Sequence, residues 1–173
     1  MTEALRHVAF VGLGSNLGHP RRHLARALAQ LAQLPRSRLV AASRNYLSAP
    51  VDCTEAQPDY VNAVAELRTA LTPYALLARM RAIERRHGRT AHGTSKRNAP
   101  RVLDLDLLLF DRRRLARPQL SLPHPRMHER AFVLRPLSDI APTTSIPGRG
   151  AVRTWLRRAS GQRIARTRSH AWR

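Results

Sequence analysis

The run Arg101-Val-Leu-Asp-Leu-Asp-Leu-Leu-Leu-Phe110 decides the fold, because its apolar and acidic alternation predicts a β-strand over residues 102–110. Side chains two positions apart on a strand share a face, so Asp104 and Asp106 project together. The opposite face is expected to be apolar and to carry Leu103, Leu105, Leu107 and Leu109. Two adjacent carboxylates repel each other unless a cation compensates them. Magnesium, which commonly binds one or two carboxylates together with substrate phosphates, is the expected ion. A strand with two exposed polar positions is the alternative.

The segments on either side predict the rest of a sheet and two helices. A helix is expected to begin at Pro20, and a second one has Thr72 as its N-cap and ends at Gly88. Strands are expected over residues 8–13, 39–48 and 60–67, and a further short strand over 132–134. The order strand, helix, strand, strand, helix, strand predicts an α+β fold of the ferredoxin-like split βαβ type, an antiparallel sheet with both helices on one face.

Length and charge limit the function classes. The 173 residues suffice for one domain, and 31 basic against 11 acidic residues give a net charge of +20. Such a surface attracts polyanions, whether nucleic acid, anionic lipid or a phosphorylated small molecule. We divide the chain into a domain over residues 1–148 and a basic C-terminal extension over 149–173, which is either a solvated, frayed end or a phosphate-binding arm. One cysteine excludes an internal disulfide and favours the cytoplasm, and no apolar run reaches the length of a membrane span.

Basic and aromatic residues suggest what the carboxylates would meet. The polar segment from Arg89 to Ala99 is expected to be a mobile loop, and Arg89, Lys96, Arg97 and Arg101 could hold phosphates that bridge to the metal. His124, held between two prolines, is a candidate phosphate hydrogen-bond donor. Tyr60 and Phe132 either pack in the core or stack on a planar ligand.

Several separated motifs together resemble the 6-hydroxymethyl-7,8-dihydropterin pyrophosphokinase family of folate biosynthesis. The most specific is Arg97-Asn-Ala-Pro-Arg-Val-Leu-Asp-Leu-Asp-Leu-Leu108. The other motifs stand along the chain in the same order as in the family. They are Gly14-Ser-Asn16, Gln57-Pro-Asp-Tyr-Val-Asn62, Leu122-Pro-His124, Arg130-Ala-Phe132 and Pro136-Leu-x-x-Ile-Ala-Pro142. The resemblance runs from about Val8 to Pro142 and implies transfer of pyrophosphate from ATP to a pterin alcohol.

By this resemblance, Asp104 and Asp106 coordinate two magnesium ions that bridge the phosphates of ATP. The residues expected to act in catalysis are Arg89, Arg101, Asp104 and Asp106. Those expected to bind ATP are Glu84, Arg89, Arg101, His124 and Arg130.

The pterin is expected to lie between Tyr60 and Phe132, with Asn62 on its polar edge and the backbone around Ser48, Pro50 and Val51 reading the rest. The chain departs from the family pattern at Asn98, where many members have tryptophan.

Two other interpretations remain open: a paralogue with the same ATP site and another substrate, and a basic nucleic-acid-binding module. Against the second, no strand carries the aromatic cluster that stacks bases. We therefore expect small-molecule substrates, no membrane, no specific nucleic acid and a monomer.

Overall fold

The computed structural model describes residues 4–51, 53, 56–88 and 99–167. The first strand of its main sheet lies between two strands that come much later in the chain. The elements in chain order are β1 (His7–Ser15), α1 (Pro20–Ala32), β2 (Ser37–Ala42), β3 (Tyr46–Ser48), β4 (Tyr60–Thr69), α2 (Pro73–Arg86), β5 (Asp104–Phe110), β6 (Leu115–Arg117), β7 (Leu120–Leu122), a 3-10 turn (Met127–Glu129), α3 (Ala131–Ile140), β8 (Ser145–Ile146), β9 (Gly150–Ala151), α4 (Val152–Arg158) and β10 (Ile164–Arg166).

The main sheet is antiparallel and has the order β10-β3-β4-β1-β5, with β2 also paired to β4. In the register of β1 with β5, Gly12 lies opposite Asp106 and Gly14 opposite Asp104. The predicted α+β, ferredoxin-like arrangement is confirmed. Its consequence for the site is that β1 carries no side chain at the two positions opposite the carboxylates.

Helices α1 and α2 cover one face of the sheet, as expected from their apolar stripes. Thr72 caps α2 by accepting a hydrogen bond from the Ala75 amide at 3.2 Å, and Gly88 ends it with a φ of +91°. The fully buried side chains of this layer include Leu24, Leu28, Leu31, Leu76 and Met80.

The opposite face is covered by α3 and α4, and here the predicted strand over residues 132–134 is wrong. These residues lie in α3, with Ala131, Leu134 and Leu137 buried at helical spacing against the second core. A three-residue apolar run fits a strand or a helix equally well, and the later buried positions select the helix.

Two details of the predicted strands also differ. The strand expected over 39–48 is divided into β2 and β3, because Ser43 leaves the ladder and bonds Val64 through both its amide and its hydroxyl. Leu109 packs in the core under α3, not with Leu105 and Leu107, because the register of β5 shifts between Leu107 and Leu109. A bulge of this kind inserts one residue and reverses the alternation beyond it.

The basic segment after Gly148 folds onto the same sheet as far as residue 167. β10 pairs with β3, placing Ile164 opposite Ser48, and the Thr167 amide donates to the Asn45 carbonyl at 3.0 Å. This part of the segment is therefore ordered structure and not a frayed end. Among the described residues, no helix is long and apolar enough to cross a membrane.

Candidate active site

A cavity of about 260 Å³ opens between the sheet and the start of α3. Its floor is formed by Gly12 and Gly14 of β1, where a Cβ at Gly12 would lie 3.4 Å from Leu108 and one at Gly14 would lie 3.5 Å from the Asn62 amide oxygen. Most of the predicted site residues line this cavity. They are Ser48, Pro50, Val51, Tyr60, Asn62, Arg101, Asp104, Asp106, His124, Arg130 and Phe132.

The two aspartates project from the first half of β5 into the cavity. Asp104 forms an ion pair with the guanidinium of Arg101, three residues before it. Burial and, after it, the neighbouring charge of Asp104 raise the pKa of Asp106 to about 7, against the opposing effect of Arg130. A carboxylate with so high a pKa is poorly compensated by the protein alone. The pair is therefore a candidate site for a cation.

His124 reaches the carboxylates because its segment is fixed to the outer edge of β5. Its amide donates to the Leu108 carbonyl at 2.8 Å, and its Nδ1 accepts from the Arg126 amide at 3.4 Å. Burial, together with the charge of Arg130, lowers the pKa of His124 to about 4. The ring is therefore neutral at pH 7. Because Nδ1 accepts a hydrogen bond, the ring proton is on Nε2, which lies 3.9 Å from the Asp106 carboxylate. This distance is too long for a hydrogen bond and leaves the Nε2 proton available to a ligand.

Arg130 and Phe132 enter the cavity from the N-terminal end of α3. The Arg130 guanidinium carbon lies 5.6 Å from the centre of the Phe132 ring, a cation–π distance that holds the two side chains in one arrangement. The positive charge of Arg130 acts on both Asp106 and His124. This end of α3 thus contributes a cation and an apolar ring to the same wall.

The other end of the cavity is neutral and hydrogen-bonding. Asn62 is buried and its Nδ2 donates to the Ser48 hydroxyl at 3.0 Å and to the Tyr46 carbonyl at 3.3 Å. The Tyr60 hydroxyl donates to the Ala99 carbonyl at 3.3 Å. A buried amide beside aromatic rings suits a planar, polar heterocycle.

One predicted residue in the described part of the chain, Glu84, does not line the cavity. Glu84 is buried on α2, where its Oε1 accepts from the Leu105 amide at 2.9 Å, so in this arrangement it supports β5 from the helical side. Arg89 falls outside the described residues, as do Lys96, Arg97 and Asn98 of the predicted loop.

Asn16 holds together the segments that meet at the cavity, a role that sequence reasoning did not assign. It is buried; its Oδ1 accepts from the Arg101 amide at 2.8 Å, and its own amide donates to the Arg101 carbonyl at 3.0 Å. Its Nδ2 donates to Gln57 at 2.9 Å and to the Pro58 carbonyl at 3.1 Å. The motif Gly14-Ser-Asn16 was visible in the sequence, but its partners are distant in the chain.

Comparison with known proteins shows which family the chain resembles. A profile described as "7,8-dihydro-6-hydroxymethylpterin-pyrophosphokinase (HPPK)" matches residues 10–142. The chain is 46% identical over 138 residues to the 2-amino-4-hydroxy-6-hydroxymethyldihydropteridine pyrophosphokinase of Pseudomonas aeruginosa, covering 80% of this chain and 83% of the relative. The enzyme of the same name from Bacillus subtilis is 36% identical over 161 residues, covering 90% and 94%.

Solved structures agree in fold. The crystal structure of wild-type Plasmodium falciparum HPPK-DHPS superposes with a TM-score of 0.66 at 13% identity, covering 88% of this chain and 41% of that one. The chain thus spans less than half the length of that protein, and the likeness concerns the fold alone.

Proposed function

The chain belongs to the 7,8-dihydro-6-hydroxymethylpterin-pyrophosphokinase family, and we propose that its cavity transfers pyrophosphate from ATP to 6-hydroxymethyl-7,8-dihydropterin in folate biosynthesis. The observation that carries the proposal is the polarity of the cavity. Asp104, Asp106 and Arg130 make one part of it strongly charged, while Asn62 and Tyr60 make another part neutral and hydrogen-bonding. A phosphorylated nucleotide and a pterin need these two environments side by side.

The charged part fits magnesium as well as phosphate. Within the described residues, no group of three or more acidic, histidine or cysteine side chains forms a complete metal cage. Asp104 and Asp106 alone suit an ion that takes its remaining ligands from substrate phosphates. We therefore assign Asp104 and Asp106 as the ligands of two Mg²⁺ ions. When bound, Mg²⁺ would neutralise the phosphates and withdraw electrons from the phosphorus that is attacked.

The remaining charged residues have separable tasks. Arg101 and Arg130 would bind phosphate oxygens by charge-assisted hydrogen bonds. His124, neutral with its Nε2 proton directed toward the carboxylates, would add a hydrogen bond rather than a charge. Arg89 and Glu84 stay predicted ATP contacts that rest on the family resemblance. A contact between Glu84 and ATP would have to be made beside the β5 backbone, where the Glu84 carboxylate accepts from the Leu105 amide.

The neutral part would hold the pterin. Asn62 can pair with the amide-like edge of the ring, since its Nδ2 is oriented by Ser48 and its Oδ1 lies over Gly14 in the cavity lining. Tyr60 and Phe132 would contact the ring faces, and the backbone at Pro50 and Val51 would complete its edge.

Catalysis in this arrangement is mainly positioning and charge neutralisation. The substrate hydroxyl attacks the β-phosphorus, a new oxygen–phosphorus bond forms, and the bond from that phosphorus to the bridging oxygen of AMP breaks, while the hydroxyl proton is released to solvent. AMP leaves carrying that oxygen. We further propose that the protein acts as a cytoplasmic monomer without a specific nucleic-acid partner.

The test is formation of AMP from ATP and 6-hydroxymethyl-7,8-dihydropterin in the presence of Mg²⁺. We expect turnover by the wild-type protein, and a loss of at least about a hundredfold in Asp104→Ala and Asp106→Ala, since each removes charge stabilisation at the reacting phosphates. Asp59→Ala, which removes an exposed aspartate outside the cavity lining, should retain activity. A folded wild-type protein that releases no AMP would overturn the proposal. Binding of ATP without turnover of the pterin would indicate a paralogue.

A further inference from the structure

Helix α3 begins at the active site but lacks a cap from its own residues. The first amides of any helix have no partner within it, and the N-cap position here is Arg130, whose side chain has no acceptor oxygen. No side-chain hydrogen bond from Arg130 caps the helix. Because Arg130 and Phe132 both reach the cavity from this first turn, its conformation controls where they lie.

The missing acceptor comes from the segment after α4. The Gln162 Oε1 accepts from the Ala131 amide at 2.9 Å, and the Gln162 Nε2 donates to the Glu129 carbonyl at 2.6 Å. One side chain thus bonds the backbone immediately before and immediately after Arg130. Residue 162 lies outside the 10–142 stretch that matches the family profile.

Gln162 is itself held at two points. Its amide donates to the Ala159 carbonyl at the end of α4 at 3.1 Å. Two residues later the chain enters β10, which pairs with β3 and sets Ile164 opposite Ser48. The same segment therefore bonds both walls of the cavity: β3, which leads into the neutral part, and the start of α3, which carries the charged part.

We propose that Gln162 is a positioning residue for Arg130 and Phe132, and that the segment 159–167 sets the spacing between the two walls of the active site. This inference rests on the proposed function for its kinetic consequences and on the geometry alone for its structural ones. Gln162 acts through the backbone of α3 and does not touch a substrate.

The test compares Gln162→Ala with Gln162→Glu in the full chain. The alanine variant loses both hydrogen bonds. The glutamate variant loses the donor to the Glu129 carbonyl but keeps an acceptor for the Ala131 amide, and it places a negative charge at a helix N-terminus, where it is favourable. Gln119→Ala, an exposed glutamine between β6 and β7, is the matched control.

Hydrogen exchange provides the readout that is independent of activity. We expect the Ala131 amide to exchange about five- to tenfold faster in Gln162→Ala, the ratio for loss of one hydrogen bond. The rate should be near the wild-type value in Gln162→Glu and unchanged in Gln119→Ala. Unchanged exchange at Ala131 in Gln162→Ala would overturn the inference, whatever the enzyme assay gives.

Kinetics provide the second readout. We expect KM for ATP to rise by about three- to tenfold in Gln162→Ala, with kcat falling less and with recovery in Gln162→Glu. A general loss of folding would instead lower the active fraction, and therefore kcat, without changing KM. An inactive wild-type protein would refute the proposed function but leave the exchange result to decide the role of Gln162. Faster exchange at Ala131 with unchanged KM in an active protein would overturn the positioning role.

Discussion

Replacing Asp106 by asparagine should stabilise the metal-free protein while removing its activity. The pKa of this carboxyl is raised from 3.8 to about 7, first by burial and then by Asp104. A raised pKa means that the contribution of the group to stability is fully present below the unfolded value of 3.8 and is lost as the pH rises through about 7. Above pH 7 the charged carboxylate therefore destabilises the fold.

The size of the effect follows from the shift. A shift of one pKa unit corresponds to about 1.4 kcal/mol, so the destabilisation by the charged Asp106 carboxylate is at most about 4 kcal/mol. The side chain is 39% exposed, so solvent screening reduces this substantially. We expect Asp106→Asn to raise the free energy of unfolding at pH 8 by about 1–2 kcal/mol, which corresponds to about 3–6 °C in Tm for a chain of this size.

Thermal unfolding with a chelator present, at pH 8 and at pH 5, measures this. The gain should shrink by more than half at pH 5, where the wild-type carboxyl is largely protonated in the folded state. Asp59→Asn, at an exposed aspartate, makes the same change in net charge and should give no gain. Saturating Mg²⁺ with a non-hydrolysable ATP analogue should reverse the order of stability, because only the wild type binds the ion fully. A variant that is no more stable than Asp59→Asn at pH 8 would refute the reasoning.

Two further predictions concern contacts away from the carboxylates. Asn16→Asp keeps the acceptor oxygen but loses the Nδ2 donor to Gln57. We therefore expect KM for the pterin to rise about five- to tenfold while KM for ATP stays nearly unchanged. Equal changes in the two KM values would contradict this. His23 and His87 lie with their Nδ1 atoms 3.1 Å apart, and burial, together with the charge of Arg26, lowers the pKa of both. Lowering the pH from 7 to 5 should thus destabilise the wild type more than His87→Gln, as measured by urea unfolding, and an equal loss in both would exclude the pair as the cause.

The strongest sequence predictions came from patterns formed by residues that are close together in the chain. Strand alternation was enough to place Asp104 and Asp106 on one face, and the Thr72 cap with Gly88 was enough to bound α2. The prediction for 132–134 was wrong because its apolar residues suit either period, and only packing against the second core distinguishes them. Leu109 was misplaced because nothing local in a run of leucines marks the bulge.

The candidate site likewise contains residues that the sequence predicted and residues whose roles it did not predict. Asp104, Asp106, His124 and Arg130 could be selected by residue type and motif, and the structure brings them into one cavity. Their roles as ligands stay predictions. The roles of Asn16 and Gln162 could not be found from the sequence, because each is defined by hydrogen bonds to residues far away in the chain. An asparagine or glutamine alone gives no sign of which backbone it will hold.

The position of β1 between β4 and β5 has a consequence for how the protein folds. Both of its neighbours are distant from β1 in the chain: β4 lies near the middle and β5 lies beyond it. Each pairing therefore has to close a long loop, and the chain entropy is lost before the contacts of the pairing form. A partly folded chain that has joined β1 to β4 would already possess the neutral wall with Asn62 but would lack both aspartates. The rate at which Mg²⁺–nucleotide binding appears during refolding should therefore report closure of the β1–β5 ladder, the more non-local of the two pairings of β1.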